Sequence, residues 1–188
     1  MQSFVNSRWD LERDHEEQLS SPAALGRWLT EHNLLHPSVR PTNADLRRAL
    51  AVREGLRALL FANNGEPVER AAVESLNQAL GAPALGVRLD SVSPPAFTAP
   101  RRDVAGALAT IASIVATSQI EGTWPRFKAC PGRHCGWAFY DHSRNQSGNW
   151  CSMSLCGSRV KAREYRRRQK QTSRTRTDTT TTPRRRKP

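Results

Sequence analysis

Long apolar runs are missing from this sequence. No stretch approaches the roughly 20 apolar residues that a membrane-spanning helix needs, and Met1-Gln2-Ser3-Phe4 lacks the basic-then-apolar order of a secretory signal. Neither an exported nor a membrane-embedded chain is expected, and the protein is read as cytoplasmic. Also missing are a nucleophile with an accompanying base, a phosphate-cradling loop and paired acids at a usable spacing, so nothing recommends an enzyme. No internal repeat is found. Acids are scarce in one place: residues 126–188 hold 3 Asp+Glu against 17 Lys+Arg, whereas residues 1–125 hold 14 against 12. The formal charge of +12 therefore comes wholly from the last third. Such asymmetry points to a polyanionic partner for that third, nucleic acid or an anionic membrane surface. Arginine outnumbers lysine 25 to 4, a bias that a GC-rich genome produces as readily as selection for bidentate phosphate contacts.

What is present in the first 120 residues reads as helix. Ser21-Pro22 offers an N-cap with proline at the first helical position, and Ala24, Leu25, Trp28 and Leu29 follow at helical spacing before Asn33 and Pro37 close the segment. Thr42 with Asp45 three residues later reads as a capping box, with Leu46, Leu50, Leu56, Leu59 and Leu60 as the buried stripe and Asn63-Asn64-Gly65 as the stop. A third helix is expected from Pro67 to Gly81 and a fourth from about Arg102 to Gln119, the latter with Val104, Leu108, Ile111 and Val115 on one side. Between them, Val87 to Ala99 suggests a short strand or hairpin. The fold class is mainly α: a helical domain over 1–122, a linker at 123–126, a small four-cysteine module of short hairpin and basic helix over 127–170, and a disordered basic tail over 171–188. A module this small needs a staple, because it buries too little apolar surface to fold unaided.

The staple is the cysteine constellation. Cys130, Cys135, Cys151 and Cys156 are spaced C-x4-C-x15-C-x4-C, two close pairs joined by a loop that can return the chain to one point. In a reducing compartment such a set is read as metal ligands, with two disulfides or four buried thiols as the alternatives. Four thiolates suit zinc and close its tetrahedron, leaving no position for a reacting water, so the site is structural. Pro131-Gly132 and Gly157 would let backbone N–H groups approach the sulfurs. His134 adjoins Cys135 and is read as a surface or supporting residue, His142 as solvent-facing, and Asp141 as the acid that orders the loop. Trp137, Phe139, Tyr140 and Trp150 are expected to form the module's small core, with Tyr140 the candidate for stacking on a base.

These residues carry a family resemblance. The run Cys130-Pro-Gly-Arg-His-Cys135-Gly-Trp-Ala-Phe139-Tyr-Asp141-His-Ser143-Arg144-Asn145, then Trp150-Cys151-Ser152-Met153 and Cys156-Gly157-Ser158-Arg159-Val-Lys161, resembles the bacterial CGNR-type zinc finger over about residues 126–168. Upstream, Phe4-Val5-Asn6-Ser7 and the helix around Arg53 to Leu60 resemble the helical ABATE domain that precedes this finger in stress-induced transcription regulators. The resemblance implies a cytoplasmic, nucleoid-associated regulator whose four cysteines bind structural zinc and whose finger contacts DNA. Two departures stand out: Ser158 replaces the asparagine of the name-giving motif, and Gly148 stands where the family usually has an arginine, which removes a phosphate contact.

A helix is expected from Cys156 to about Gln171, with Arg159, Arg163, Arg166 and Lys170 along one face. Arg144, Lys161 and Arg167 complete the candidate nucleic-acid contacts, with DNA favoured over RNA mainly by the resemblance. The tail adds Arg174, Arg176, Arg184, Arg185, Arg186 and Lys187. A helical domain joined to such a module commonly senses a small-molecule effector or forms a homodimer. Asn6, Arg53 and Arg57 are the polar residues available for a ligand; read plainly, they are caps and exposed helix faces. The competing readings are an RNA-binding adaptor and a zinc-stabilised protein-interaction module.

Overall fold

The computed structural model describes residues 1–8, 17–68, 70–82, 84–89, 91 and 96–178; on the last helix the described side chains are those of 158–163 and 165–169. The order of elements is α1 (Gln2–Val5), α2 (Pro22–Glu31), α3 (Asn43–Ala62), α4 (Arg70–Leu80), β1 (Gly86–Arg88), β2 (Ala96–Thr98), α5 (Val104–Ile120), β3 (Phe127–Ala129), β4 (Ala138–Tyr140) and α6 (Ser158–Asp178). A 3-10 turn at Trp124–Arg126 precedes β3, and a π-helical turn at Met153–Gly157 precedes α6. The chain is mainly helical, with two short antiparallel hairpins, β1–β2 and β3–β4.

Local chemistry sets the helix ends. The Ser21 side chain accepts from the Ala24 N–H at 3.1 Å, and Pro22 occupies the first turn of α2, where its missing donor costs nothing. Asn33, at φ 58°, turns the chain out of α2. Thr42 and Asp45 form a reciprocal capping box at the start of α3. The Asp103 carboxylate caps α5 at the Gly106 N–H, 2.8 Å away.

The core joins Phe4, Leu25, Trp28, Leu29, Val52, Leu56, Leu60, Leu108 and Ile111, and it includes Ala129 and Ala138 of the second hairpin. All four α5 residues expected inside are buried. The face of α3 is rotated from the expected leucine stripe. Leu46, Leu50 and Leu59 are only partly buried, and the fully buried row runs Ala49, Val52, Arg53, Leu56, Arg57, Leu60. A period of 3.6 selects that row as readily as the other; partners supplied from other elements decide between them.

Packing divides the chain into two compact units, Met1–Cys151 and Ser152–Pro188. The 3-10 turn leads straight into β3, whose hairpin packs on α1 and α3. In the second unit α6 continues to Asp178, so the first part of the segment read as a disordered tail is helical. Arginine, glutamine and lysine propagate an already nucleated helix. Residues 179–188 lie outside the described residues.

Candidate zinc centre and nucleic-acid surface

The first knuckle grows out of β3. Cys130 follows the strand directly and is fully buried, its N–H bonded to Trp137 O at 2.9 Å. The chain then reverses through Cys135 N–H to Gly132 O, 2.8 Å, and Gly136 N–H to Cys130 O, 3.2 Å. His134 and Gly136 both sit at φ 60°; for Gly136 the missing side chain makes that left-handed geometry easy. Cys151 ends the loop that follows β4, and Cys156 lies in the π-helical turn that opens the second unit.

The four sulfur atoms all lie within 4.8 Å of one another. Cys135 Sγ and Cys151 Sγ are 3.7 Å apart, close to the ~3.8 Å edge of a tetrahedron with Zn–S bonds of about 2.3 Å. As bare thiols they cannot all ionise. A hydrogen bond from Cys135 holds the Cys130 thiol down to about 5, and the same bond, with burial, pushes Cys135 far up. A doubly charged cation removes that conflict by stabilising every thiolate. Donor chemistry and spacing both fit one structural zinc ion. The expected bystanders stay out of the cluster: Arg133 Nε donates to His134 Nε2 at 2.9 Å, and the His142 ring packs by Tyr140, centroids 4.8 Å apart.

Behind the zinc loop lies a polar scaffold that links positions far apart in sequence. Asn6 Nδ2 donates to Ala138 O at 2.9 Å while Ala138 N–H donates to Asn6 Oδ1 at 2.7 Å, so one side chain completes the open edge of β4. Arg57 donates to Glu54, to Val5 O and Arg8 O, each at 2.7 Å, and to Gly136 O inside the knuckle. Arg53 donates to Ser7, Glu54 and Glu17. Burial acts against the Arg53 charge, but Glu17 and Glu54 outweigh it and hold its pKa above the ordinary value. Of the three residues proposed for a ligand, Asn6 is the C-cap of α1, while Arg53 and Arg57 are not exposed faces: they are 1% and 3% exposed, and their donors end on the protein. None of the three lines the open cavity of about 490 Å³ between Phe61, Val68 and the first knuckle.

Sequence reasoning treats Asn63 and Asn64 as helix stops and passes over Lys128. Asn63 Nδ2 donates to Trp124 O and Phe127 O, both at 2.9 Å, and Asn64 Nδ2 to Ala129 O and Asn149 O. Lys128, 4% exposed, donates to Asp141 Oδ2 at 2.8 Å and to Gln146 O and Gly148 O. Asp141 also accepts from the N–H groups of Ser143 and Gly148, which is the loop-ordering role expected for it. Burial alone would raise its pKa; Lys128, Ser143 and Gly148 overcome that and hold it well below the usual carboxylate range. A Cβ on Gly148 would come within 2.6 Å of Asp141 Oδ1. The departure from arginine at this position is thus matched to a loop closed around glycine. Of these residues only Asp141 carries a sequence signal, as the single acid between the cysteine pairs.

The candidate nucleic-acid contacts differ in kind from these buried cations. Arg144 is exposed in the loop after β4, and Arg159, Lys161, Arg163, Arg166 and Arg167 are exposed on α6. Arg159, Arg163 and Arg166 share one face of that helix by spacing. The side chain of Lys170 and the tail cations lie outside the described residues. Trp137, Phe139, Tyr140 and Trp150 are all half-buried, with Phe127 and Tyr140 edge to face at 4.9 Å, so Tyr140 is part of the hairpin's packing.

No helix among the described residues is long and apolar enough to cross a membrane. No curated protein matches the chain. Two family models do. Residues 126–169 match the CGNR zinc finger, a span that contains all four cysteines, and residues 2–118 match ABATE, described as "Putative stress-induced transcription regulator". The two matches divide the sequence near 118–126, whereas packing divides it after Cys151. With the larger match spanning more than half of the chain, this protein belongs to the ABATE family and carries a CGNR zinc finger.

Proposed function

We propose that this chain is a zinc-dependent transcription regulator that binds DNA through α6, in the cytoplasm and on the nucleoid. One observation carries the reading. Directly after the last cysteine of the cluster comes a helix with six exposed cations among its described side chains, Arg159, Lys161, Arg163, Arg166, Arg167 and Arg168, and Glu164 is the one acid in its sequence before Asp178. A surface of one sign without balancing acids is not a salt-bridged face; it fits a polyanion. Zinc would be held by Cys130, Cys135, Cys151 and Cys156, its role confined to fixing the chain from which α6 starts. In this reading Asn6, Arg53 and Arg57 belong to the scaffold and not to an effector site.

The test is binding of the zinc-loaded chain to selected and random duplexes across a salt series. Replacing Arg159, Arg163 or Arg166 by Ala should lower the salt slope by about one unit wherever the arginine touches phosphate only. Where it reads a base, the loss should be on the order of 1–3 kcal/mol on the selected duplex and much less on random DNA. Three variants indistinguishable from the parent would remove α6 from the interface and favour the protein-interaction reading. Tighter binding to RNA than to any duplex would favour the RNA adaptor.

A further inference from the structure

The second unit carries an apolar feature that its charge does not explain. Met153 and Leu155 lie in the π-helical turn between Cys151 and Cys156 and are 54% and 59% exposed. The turn holds them on a constrained backbone: Ser152 Oγ accepts from the Leu155 N–H at 3.3 Å, and Ser158 Oγ donates to Ser154 O and Leu155 O. Two large apolar side chains are thus presented to solvent one turn before the first cation of α6, Arg159.

The surroundings select the partner. Downstream lie the exposed cations Arg159, Lys161, Arg163, Arg166, Arg167 and Arg168, so whatever meets the pair must also tolerate a dense positive field. A duplex does: its phosphates flank a major groove about 12 Å wide that admits a helix, and each thymine places a methyl group on the groove floor as its one apolar mark. Helices that read this groove do so with residues at their N-terminal end, which is the end at which Met153 and Leu155 stand.

We propose that Met153 and Leu155 form an apolar tip that contacts thymine methyl groups in the major groove, so that the preferred site carries A·T pairs opposite the start of α6. The proposal rests on the DNA-binding reading above. It divides the labour within one unit: arginines and lysines of α6 supply affinity for phosphate, and the tip supplies discrimination.

The experiment uses the full zinc-loaded chain and duplexes selected from a random pool, each prepared with thymine and with uracil in its place. Uracil keeps every hydrogen bond and deletes only the methyl group. The unaltered protein should bind the uracil duplex roughly fourfold more weakly for each methyl group that the tip would otherwise cover. A Met153→Ala/Leu155→Ala variant that retains one zinc equivalent should bind the thymine duplex more weakly, ignore the uracil exchange and keep the parental salt slope, because its phosphate contacts remain. Met153→Leu/Leu155→Met, which preserves apolar volume, should keep the methyl preference. Indifference of the unaltered protein to uracil would overturn the proposal while leaving DNA binding intact, and this arm depends on no variant. A double-alanine variant that still discriminates thymine from uracil would overturn it too. Failure of the unaltered protein to bind any duplex would instead bring down the DNA-binding reading.

Discussion

Basic side chains are put to opposite uses in the two units. In Met1–Cys151, Arg53, Arg57 and Lys128 are between 1% and 4% exposed, and their donors end on carboxylates, backbone carbonyls and, for Arg53, also the Ser7 hydroxyl. In the unit that begins at Ser152, Arg159, Lys161, Arg163, Arg166 and Arg167 are exposed. A buried guanidinium must have every donor met, because the desolvation it suffers is repaid only by partners of fixed geometry. An exposed one keeps its hydration until a polyanion replaces it. Net charge therefore marks the unit for which a polyanionic partner is proposed, while single buried arginines in the near-neutral first unit hold the molecule itself together.

The largest break in this contrast should come from zinc. Structural zinc contributes on the order of 10–16 kcal/mol in isolated finger peptides. One equivalent per chain is expected, lost in Cys151→Ser. Because Ala129 and Ala138 of the zinc hairpin sit in the same core as α3 and α5, chelation should also lower the melting temperature of the helical unit. A helical unit whose hydrogen-exchange protection ignored chelation would show that hairpin and helices are energetically separate. Next comes the buried arginine. Arg57→Ala leaves Gly136 O, Val5 O and Arg8 O without their donor and should cost about 3–5 kcal/mol in denaturant unfolding of the zinc-loaded chain. Arg163→Ala, exposed on α6, should stay within about 0.5 kcal/mol. Equal costs would dissolve the distinction between the two sets of cations.

Smaller effects sharpen the same contrast. Asn6→Ala leaves the Ala138 N–H without its acceptor and the Ala138 carbonyl with Gln2 Nε2 as its side-chain donor, and should destabilise by about 1–3 kcal/mol, with faster amide exchange confined at first to β4. The gentlest probe is pH. Asp141 has a folded pKa below its unfolded value of about 3.9, so the stability it contributes is complete above that value and is lost as pH falls through the depressed folded one. Denaturant midpoints of the parent and Asp141→Asn should therefore converge as pH is lowered from about 6 toward about 3. A gap that stayed constant with pH would mean that Asp141 does not act through its charge.

Features whose cause lies within a few residues were legible without coordinates. The Ser21 cap, the Thr42–Asp45 box and the α5 stripe depend on neighbours three or four positions away, which any reading of periodicity samples. The cysteine set was legible because thiolate spacing carries its own chemistry, and the basic excess because composition needs no fold. The rotation of α3 was not. Leucine and arginine alternate along it so that two faces satisfy the helical period, and the buried one is chosen by Glu17, Ser7 and the Val5 carbonyl, none of them on α3.

Sequence alone thus established a mainly helical chain, a four-thiolate centre suited to zinc and a basic end, since local hydrogen bonds, ligand softness and net charge belong to residue types and their spacing. Packing had to settle which cations are spent inside, why Gly148 tolerates nothing larger and why the zinc hairpin belongs to the helical core. Each of those rests on a pairing across the chain, Asn6 with Ala138 and Arg57 with Gly136 among them. Such pairs form only when folding has already brought distant segments to hydrogen-bonding distance, and no local pattern encodes that encounter.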